Sequence, residues 1–295
     1  MALAFLKKAN EITPIERDKI TSIIREREYS QRDVFHFPGY SVIFFTGEDA
    51  PISREGLVRL RKNLSEEKID VISFGDGFLT GIPKLIFMDM DSTVIQEEVI
   101  DELAREHGVF DEVQAVTKTA MEGGMDFDSS LRLRVNKLKG LPVSSIEKVY
   151  RRLTLSLGMN KVLEIVPKFG TELIILSGGF LPVLQLFAKD HKISDFRANQ
   201  LEEKDGIFTG EITGPILNAE AKEKALVEIV NQKKCDRDLV VAIGDGANDA
   251  LMLRAAGLGI GFHAKQGLKD RIDQWVDYSD LDALLLLFRD QLINV

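Results

Sequence analysis

Residues 84–93 read Lys84-Leu85-Ile86-Phe87-Met88-Asp89-Met90-Asp91-Ser92-Thr93, an apolar run that breaks abruptly into carboxylates and hydroxyls. The same design recurs twice. Glu172-Leu-Ile-Ile-Leu176 runs into Ser177-Gly178-Gly179, and Asp238-Leu-Val-Val-Ala-Ile243 runs into Gly244-Asp245-Gly246. Near-continuous apolar runs of this length read as strands buried on both faces, the pattern of a parallel sheet. Helical patterns lie between them, as parallel crossovers require. The expected fold is therefore α/β, a doubly wound parallel sheet. In such sheets ligands bind beyond the carboxyl ends of the strands. All three runs place their polar residues at that end, which points to a site built from Asp89, Ser177 and Asp245.

About eighty residues separate the first two runs, far more than one crossover helix needs. Helical patterns over 94–106, 111–121, 127–139 and 144–155 suggest a helical cap inserted over the site. A turn at Gly206 and the segment 207–216 suggest a hairpin before the third run. Residues 1–81 read as a separate small α+β unit in the order αββαβ, with no evident first strand and no catalytic motif. The expected division is thus 1–81, regulatory or dimerising; 82–102 with 168–295, the catalytic core; and 103–167, the cap. Leu281, Leu284, Leu285 and Phe288 share one helical face behind a Ser279 cap, the mark of a docked C-terminal helix.

The 295 residues are 44% apolar, ordinary for a globular chain. A net charge of −9 opposes binding to a polyanion, so nucleic acid is not an expected partner. No stretch approaches the ~18 apolar residues that span a bilayer, and the start MALAFLKKANE is not a secretory signal. The single cysteine, Cys235, lies in a charged run with no histidine near it and reads as a bystander. These features suggest a cytoplasmic protein. A homodimer formed through residues 1–81 is the expected assembly.

Asp89 and Asp91, two residues apart at a strand end, suit one group that attacks and one that handles a proton. Like charges in proximity raise one of the two pKa values. The pair also reads as an Asp-rich turn capping the next helix. Gly244 to Asp249 (GDGAND) combines a tight turn with Asp245 and Asp249 as hard oxygen ligands for Mg²⁺, directly or through its waters. Ser177-Gly178-Gly179 precedes a helical pattern over 180–187, a place that favours a phosphate. A serine nucleophile is the rival reading, but GxSxG and a histidine partner are missing. Lys222, within the helical stretch 218–230, is a candidate to neutralise phosphate and orient the nucleophile. The alternative is a solvated helix lysine, as Lys224 and Lys233 read.

DMDST, SGGF, a lysine upstream of the third strand, and GDGAND, in this order, resemble the haloacid-dehalogenase superfamily of phosphotransferases over roughly residues 83–275. P-type ATPases share a version of the last motif, but membrane helices and DKTGT are missing here. The stretches 94–101 (VIQEEVID), 120–123 (AMEG) and 126–135 (DFDSSLRLRV) are similar to the phosphoserine phosphatases of that superfamily. The resemblance implies that Glu98 receives a substrate ammonium, Arg134 its carboxylate, and that Met121 and Phe127 close an apolar wall. It implies Mg²⁺ on Asp89, the Asp91 backbone carbonyl and Asp245, with Asp249 behind them. Asp89 would attack phosphorus, ionised at its ordinary pKa, and Asp91 would serve as general acid and then base. Ser177, Gly178, Lys222 and Asn248 would hold the phosphoryl oxygens. The implied reaction is hydrolysis of phosphoserine, the last step of serine biosynthesis. Chemistry agrees, because Arg offers a carboxylate a two-pronged fork and a carboxylate pairs with an ammonium. One departure is Gln266, where the family often has proline after the Ala264-Lys265 pair; that pair reads as peripheral. Two alternatives remain: a phosphatase or phosphotransferase for another small phosphoester, or an amino-acid-binding regulatory protein with an inactive core.

Overall fold

The structure, a computed structural model, describes residues 1–24, 29–37, 39–47, 52–121 and 123–292; the side chains of 29, 31–37 and 121 fall outside the description. Its strands are β1 (Ala2–Lys8), β2 (Tyr29–Phe37), β3 (Tyr40–Gly47), β4 (Ile69–Phe74), β5 (Leu85–Met88), β6 (Glu172–Phe180), β7 (Asp195–Lys204), β8 (Ile207–Thr213), β9 (Val240–Gly244), β10 (Leu258–Phe262) and β11 (Trp275–Val276).

The three apolar runs form the adjacent strands β9-β5-β6 at the centre of a seven-stranded sheet, ordered β11-β10-β9-β5-β6-β7-β8. Pairing is parallel from β11 through β7. The expected hairpin is the antiparallel pair β7–β8 at one edge. Alternate residues enter two cores. Ile86, Met88, Ile175, Val241 and Ile243 pack on one side, and Leu85, Phe87, Ile174, Leu176, Val240 and Ala242 on the other. Burial of both faces explains why these strands are apolar at every position.

Helices Val99–His107, Phe110–Met121, Phe127–Asn136, Ser145–Tyr150 and Met159–Ile165 lie between β5 and β6. The two chain segments that enter and leave this insertion run side by side. Ile95 bridges Leu155, Ser156 N–H donates to Val94 O at 3.0 Å, and Gln96 N–H to Thr154 O at 2.9 Å.

Residues 1–81 contain an antiparallel sheet ordered β2-β3-β1-β4. The expected order αββαβ is corrected here, because β1 precedes the first helix. Ala2 to Leu6 pair on both sides and are all buried, so the strand shows no polar alternation. The C-terminal expectation also changes. Leu281–Phe288 is a 3-10 helix with all eight residues buried, and Asp280 rather than Ser279 precedes it. Apart from Asp282, whose carboxylate accepts from Tyr40 and Lys161, its residues are apolar all round, as suits a buried helix.

Polar contacts fasten the small sheet to the C-terminal segment. The buried Asp70 carboxylate accepts N–H bonds from Asp277 (2.8 Å), Tyr278 (3.0 Å) and Ser279 (2.7 Å). The Arg61 guanidinium lies 4.5 Å above the Trp275 ring and donates to the carbonyls of Val71, Asp273 and Trp275. Among the described residues, no helix is long and apolar enough to cross a membrane.

Candidate active site

The parallel pairing brings the ends of β5, β6 and β9 together, and their polar loops with them. Asp89 N–H donates to the Ile243 carbonyl at 2.9 Å, which extends the β5–β9 ladder up to the acid. The chain then turns through a π-type segment, Met90–Val94, with Ser92 in the left-handed region at φ 55°. That turn swings Asp91 back beside Asp89. Asp91 Oδ1 accepts the Val99 N–H at 2.9 Å, and the Ser177 hydroxyl lies 3.5 Å from Asp91 Oδ2. A Cβ at Gly179 would sit 2.5 Å from that same oxygen and 3.0 Å from Ser177 Oγ, so any larger residue there would push these side chains aside.

Lys222 occupies the helix Ala219–Gln232, whose Asn218 cap side chain accepts the Ala221 N–H at 3.1 Å. Its Nζ is fully buried and donates to Asp89 Oδ1 and to Asp249 Oδ1, each at 2.7 Å. The solvated-lysine alternative is thereby excluded. The lysine comes from a third crossover, so its proximity to the strand ends depends on tertiary packing. Asp249 is also tied to its own loop, accepting the Gly246 N–H at 3.1 Å.

Carboxylate oxygens of Asp89, Asp245 and Asp249 all lie within 4.8 Å of one another, and all three residues are buried. An octahedral Mg²⁺ with oxygens at ~2.1 Å spans about 4.2 Å between opposite ligands. A buried set of hard oxygens at nearly that span fits such an ion.

Burial raises the carboxyl of Asp89 to about 7; the nearby Asp249 adds to the rise and Lys222 opposes it. A neighbouring cation would oppose this rise. Burial, then Glu98 and Asp89, push Asp91 well above the usual carboxylate range, the direction that suits a proton donor. Asp245 is raised to about 6, by burial first, against the lowering effect of Lys265. Both carboxyls are raised by burial, and Asp91 has Glu98 and Asp89 acting on it as well, an environment that suits dividing attack and proton transfer between them.

These groups open into a cavity of about 900 Å³. Its walls include Glu98, Phe127 and Arg134 from the inserted helices, and Gly178 and Asn248 from the strand ends. Phe127 stands over Gly178, where a Cβ would come 3.2 Å from the ring and 3.4 Å from Asn248 Nδ2. Asn218 Nδ2 reaches Asp128 Oδ1 at 3.2 Å, a second contact between the insertion and the sheet. Arg134 Nε leans on Ser130 O at 3.4 Å, and burial lowers its pKa. Burial raises the Glu98 carboxyl, but Lys265, Ser92 and Arg134 together bring it below the usual value. Met121 ends the helix Phe110–Met121; its side chain lies outside the described residues.

Every other site residue expected from the sequence lies in this one place. One expectation was wrong. Lys265 is not peripheral: its Nζ lies 2.9 Å from Glu98 Oε1 and 2.9 Å from Asp245 Oδ2. It follows β10, a fourth strand of the same sheet whose carboxyl end also faces the site. The glycines of Gly257-Leu-Gly-Ile-Gly-Phe262 interrupt the apolar run and hid the strand. Cys235 is a partly buried thiol, and burial raises its pKa, as befits a bystander.

A doubly wound sheet with a buried aspartate pair at its central strand, a buried lysine between carboxylates and an inserted helical cover is the framework of a phosphate-handling hydrolase. The chain belongs to the haloacid dehalogenase-like hydrolase family, whose pattern it matches over residues 86–254. It is 40% identical over 202 residues to a phosphoserine phosphatase from Methanocaldococcus jannaschii, covering 68% of this chain and 96% of that one. A HAD family hydrolase from Salmonella enterica serovar Typhi superimposes with a TM-score of 0.87 at 29% identity, over 99% of this chain and 100% of that one. A phosphoserine phosphatase solved as a phospho-aspartyl intermediate analogue is 39% identical, with a TM-score of 0.65, over 70% of this chain and 98% of that one. The chain spans 56%, 66% and 65% of the length of three other curated phosphoserine phosphatases.

Proposed function

We propose that this chain is a Mg²⁺-dependent phosphoserine phosphatase that works through an aspartyl-phosphate on Asp89. The observation that carries the reading is Lys222 Nζ held 2.7 Å from both Asp89 and Asp249, sealed behind the cavity wall that Asp89 forms. A fully buried lysine bound to two carboxylates is costly unless the site handles further charge.

Asp89, Asp245 and the backbone carbonyl of Asp91 are assigned to Mg²⁺, with Asp249 holding Lys222 or the metal's waters. When bound, the ion offsets phosphate charge and favours the ionised form of Asp89. Asp89 attacks phosphorus while Lys222 fixes its other charge neighbours in place. Asp91 gives its proton to the departing serine oxygen, and afterwards takes one from the water that releases phosphate. Ser177, Gly178, Lys222 and Asn248 are assigned to the phosphoryl oxygens, where charge moves in a loose transition state. Glu98 receives the substrate ammonium and Arg134 its carboxylate, with Phe127 and Met121 as the apolar wall. The insertion, residues 103–167, acts as a cap that limits water during the first step. It works on the core formed by 82–102 and 168–295, with 1–81 as a regulatory or dimerising unit. A homodimer and a cytoplasmic location belong to the same proposal; a cysteine left as a free thiol supports the second.

A panel of phosphomonoesters assayed with Mg²⁺ tests the reading. Phosphoserine should give the highest kcat/KM. A clear preference for an ester without an amino-acid head would move the substrate elsewhere within the same chemistry. No turnover of any ester would favour a regulatory protein with an inactive core.

A further inference from the structure

We propose that Lys265 is an internal stand-in cation that sets substrate selectivity: in the ligand-free protein it pairs with one carboxylate assigned to each of the two incoming cations, and it withdraws when they arrive. The inference rests on the reading of the site just given. The geometry behind it is specific. Lys265 Nζ lies 2.9 Å from Glu98 Oε1, the acceptor assigned to the substrate ammonium. It lies equally 2.9 Å from Asp245 Oδ2, a carboxylate assigned to the metal. Its backbone N–H donates to the Asp245 carbonyl at 2.9 Å, so the residue is anchored at its root while its head is free to move.

Lys222 and Lys265 differ in the way such roles require. Lys222 is sealed in, at 0% exposure, and has nowhere to swing. The Lys265 side chain is 51% exposed and Glu98 is 38% exposed, so their contact exchanges with water at little cost. Lysine suits this role because its ammonium is a compact charge on a flexible stem, matching the substrate amine in kind. Glu98 is not left bare when the lysine leaves, since the Ser92 hydroxyl still donates to Oε1 at 2.9 Å.

A selectivity rule follows. A metal at Asp245 removes one of the two anchors of Lys265. A ligand with its own ammonium then displaces the lysine from Glu98. A ligand without one leaves the lysine in place, neutralising a carboxylate that would otherwise repel it. Lys265 thus lowers the penalty against amine-free phosphoesters and competes with amine-bearing ones.

The test is Lys265→Gln, compared with the unchanged protein at saturating Mg²⁺, on phosphoserine and on 3-phosphoglycerate, which carries a hydroxyl in place of the ammonium. The variant should show a higher kcat/KM for phosphoserine and a lower one for 3-phosphoglycerate, shifting the ratio about tenfold, the size of one partly exposed charge-assisted contact. Calorimetric titration of Mg²⁺ into the ligand-free proteins should show tighter binding to the variant by about fivefold or more. A lysine that serves only as a positive field for anions would make both kcat/KM values fall together, and that result overturns the proposal. An unchanged ratio, or unchanged Mg²⁺ affinity, overturns it as well. If the unchanged protein fails to turn over phosphoserine at all, the substrate assignment fails instead, and the Mg²⁺ titration still decides whether the lysine stands in for the metal.

Discussion

Replacing Lys222 with methionine, which fills similar volume without charge, probes the floor of the site. The substitution removes two 2.7 Å contacts and leaves Asp89, Asp245 and Asp249 buried within 4.8 Å of one another. Removing one partner of a buried ion pair costs about 3–5 kcal/mol. At roughly 2 °C per kcal/mol for a chain of this size, the metal-free variant should melt about 6–10 °C lower. The carboxylates respond by binding protons, because Lys222 is what lowers the pKa of Asp89. Part of the loss should return with Mg²⁺, since a ligand at a hundred times its Kd contributes about 2.7 kcal/mol. Turnover does not return with it. A positioned charge at the reacting group is worth about 10²–10³ in kcat, so the variant should remain slower by that factor even when it is fully folded. Thermal melts with and without Mg²⁺, alongside steady-state kinetics, measure all three quantities. A variant with the melting temperature, Mg²⁺ response and kcat of the unchanged protein would refute the role given to Lys222.

Asp91→Asn should lose far more activity on phosphoserine than on 4-nitrophenyl phosphate, whose leaving group needs no proton, and a gap of about tenfold or more in the relative kcat/KM values, which report the first step alone, is expected. Arg134→Ala should lower kcat/KM for phosphoserine by about 10–100-fold while sparing phosphoethanolamine, which has no carboxylate, and equal losses on both would remove the recognition role. Asp89 at about 7 and Asp245 at about 6 both lie above the ~4 of an unperturbed aspartate, so between pH 4 and 7 the native protein binds protons that the unfolded chain has released. The stability contributed by those protons is fully present below pH 4 and lost as pH rises through 7, so urea melts of the metal-free protein should show this part of the stability falling across that window. Mg²⁺ needs both groups ionised, and its stabilising effect should grow over the same range.

How much the sequence reveals depends on whether a residue's role is local. Asp89, Ser177 and Asp245 each follow an apolar run directly, so strand pattern and chemistry lie in one short stretch, and the parallel sheet follows from three such stretches. Lys222 is different. Only the packing of its helix behind β5 and β9 takes it out of water, and periodicity alone reads it as an ordinary helix lysine. Lys265 escaped for a related reason, because the glycines before it disguise β10 as a loop. β1 is an apolar run of the same kind as β5, β6 and β9, but it ends in Lys7-Lys8 with no turn or site motif behind it, and at the start of the chain it is read only against a secretory signal. Asp89 shows the limit for electrostatics, since its displacement to about 7 comes from burial and from Asp249, and neither is visible from its neighbours in the chain.

The central claim is that the Asp89 carboxylate becomes esterified to phosphorus. Rapid acid quenching during turnover of ³²P-labelled phosphoserine, followed by peptide mapping at low pH with no reduction step, addresses it directly. The account predicts label on the peptide containing Asp89, acid-stable and hydroxylamine-labile, and none in Asp89→Asn. Turnover with no labelled protein at any quench time, or label mapped to Ser177, would contradict it.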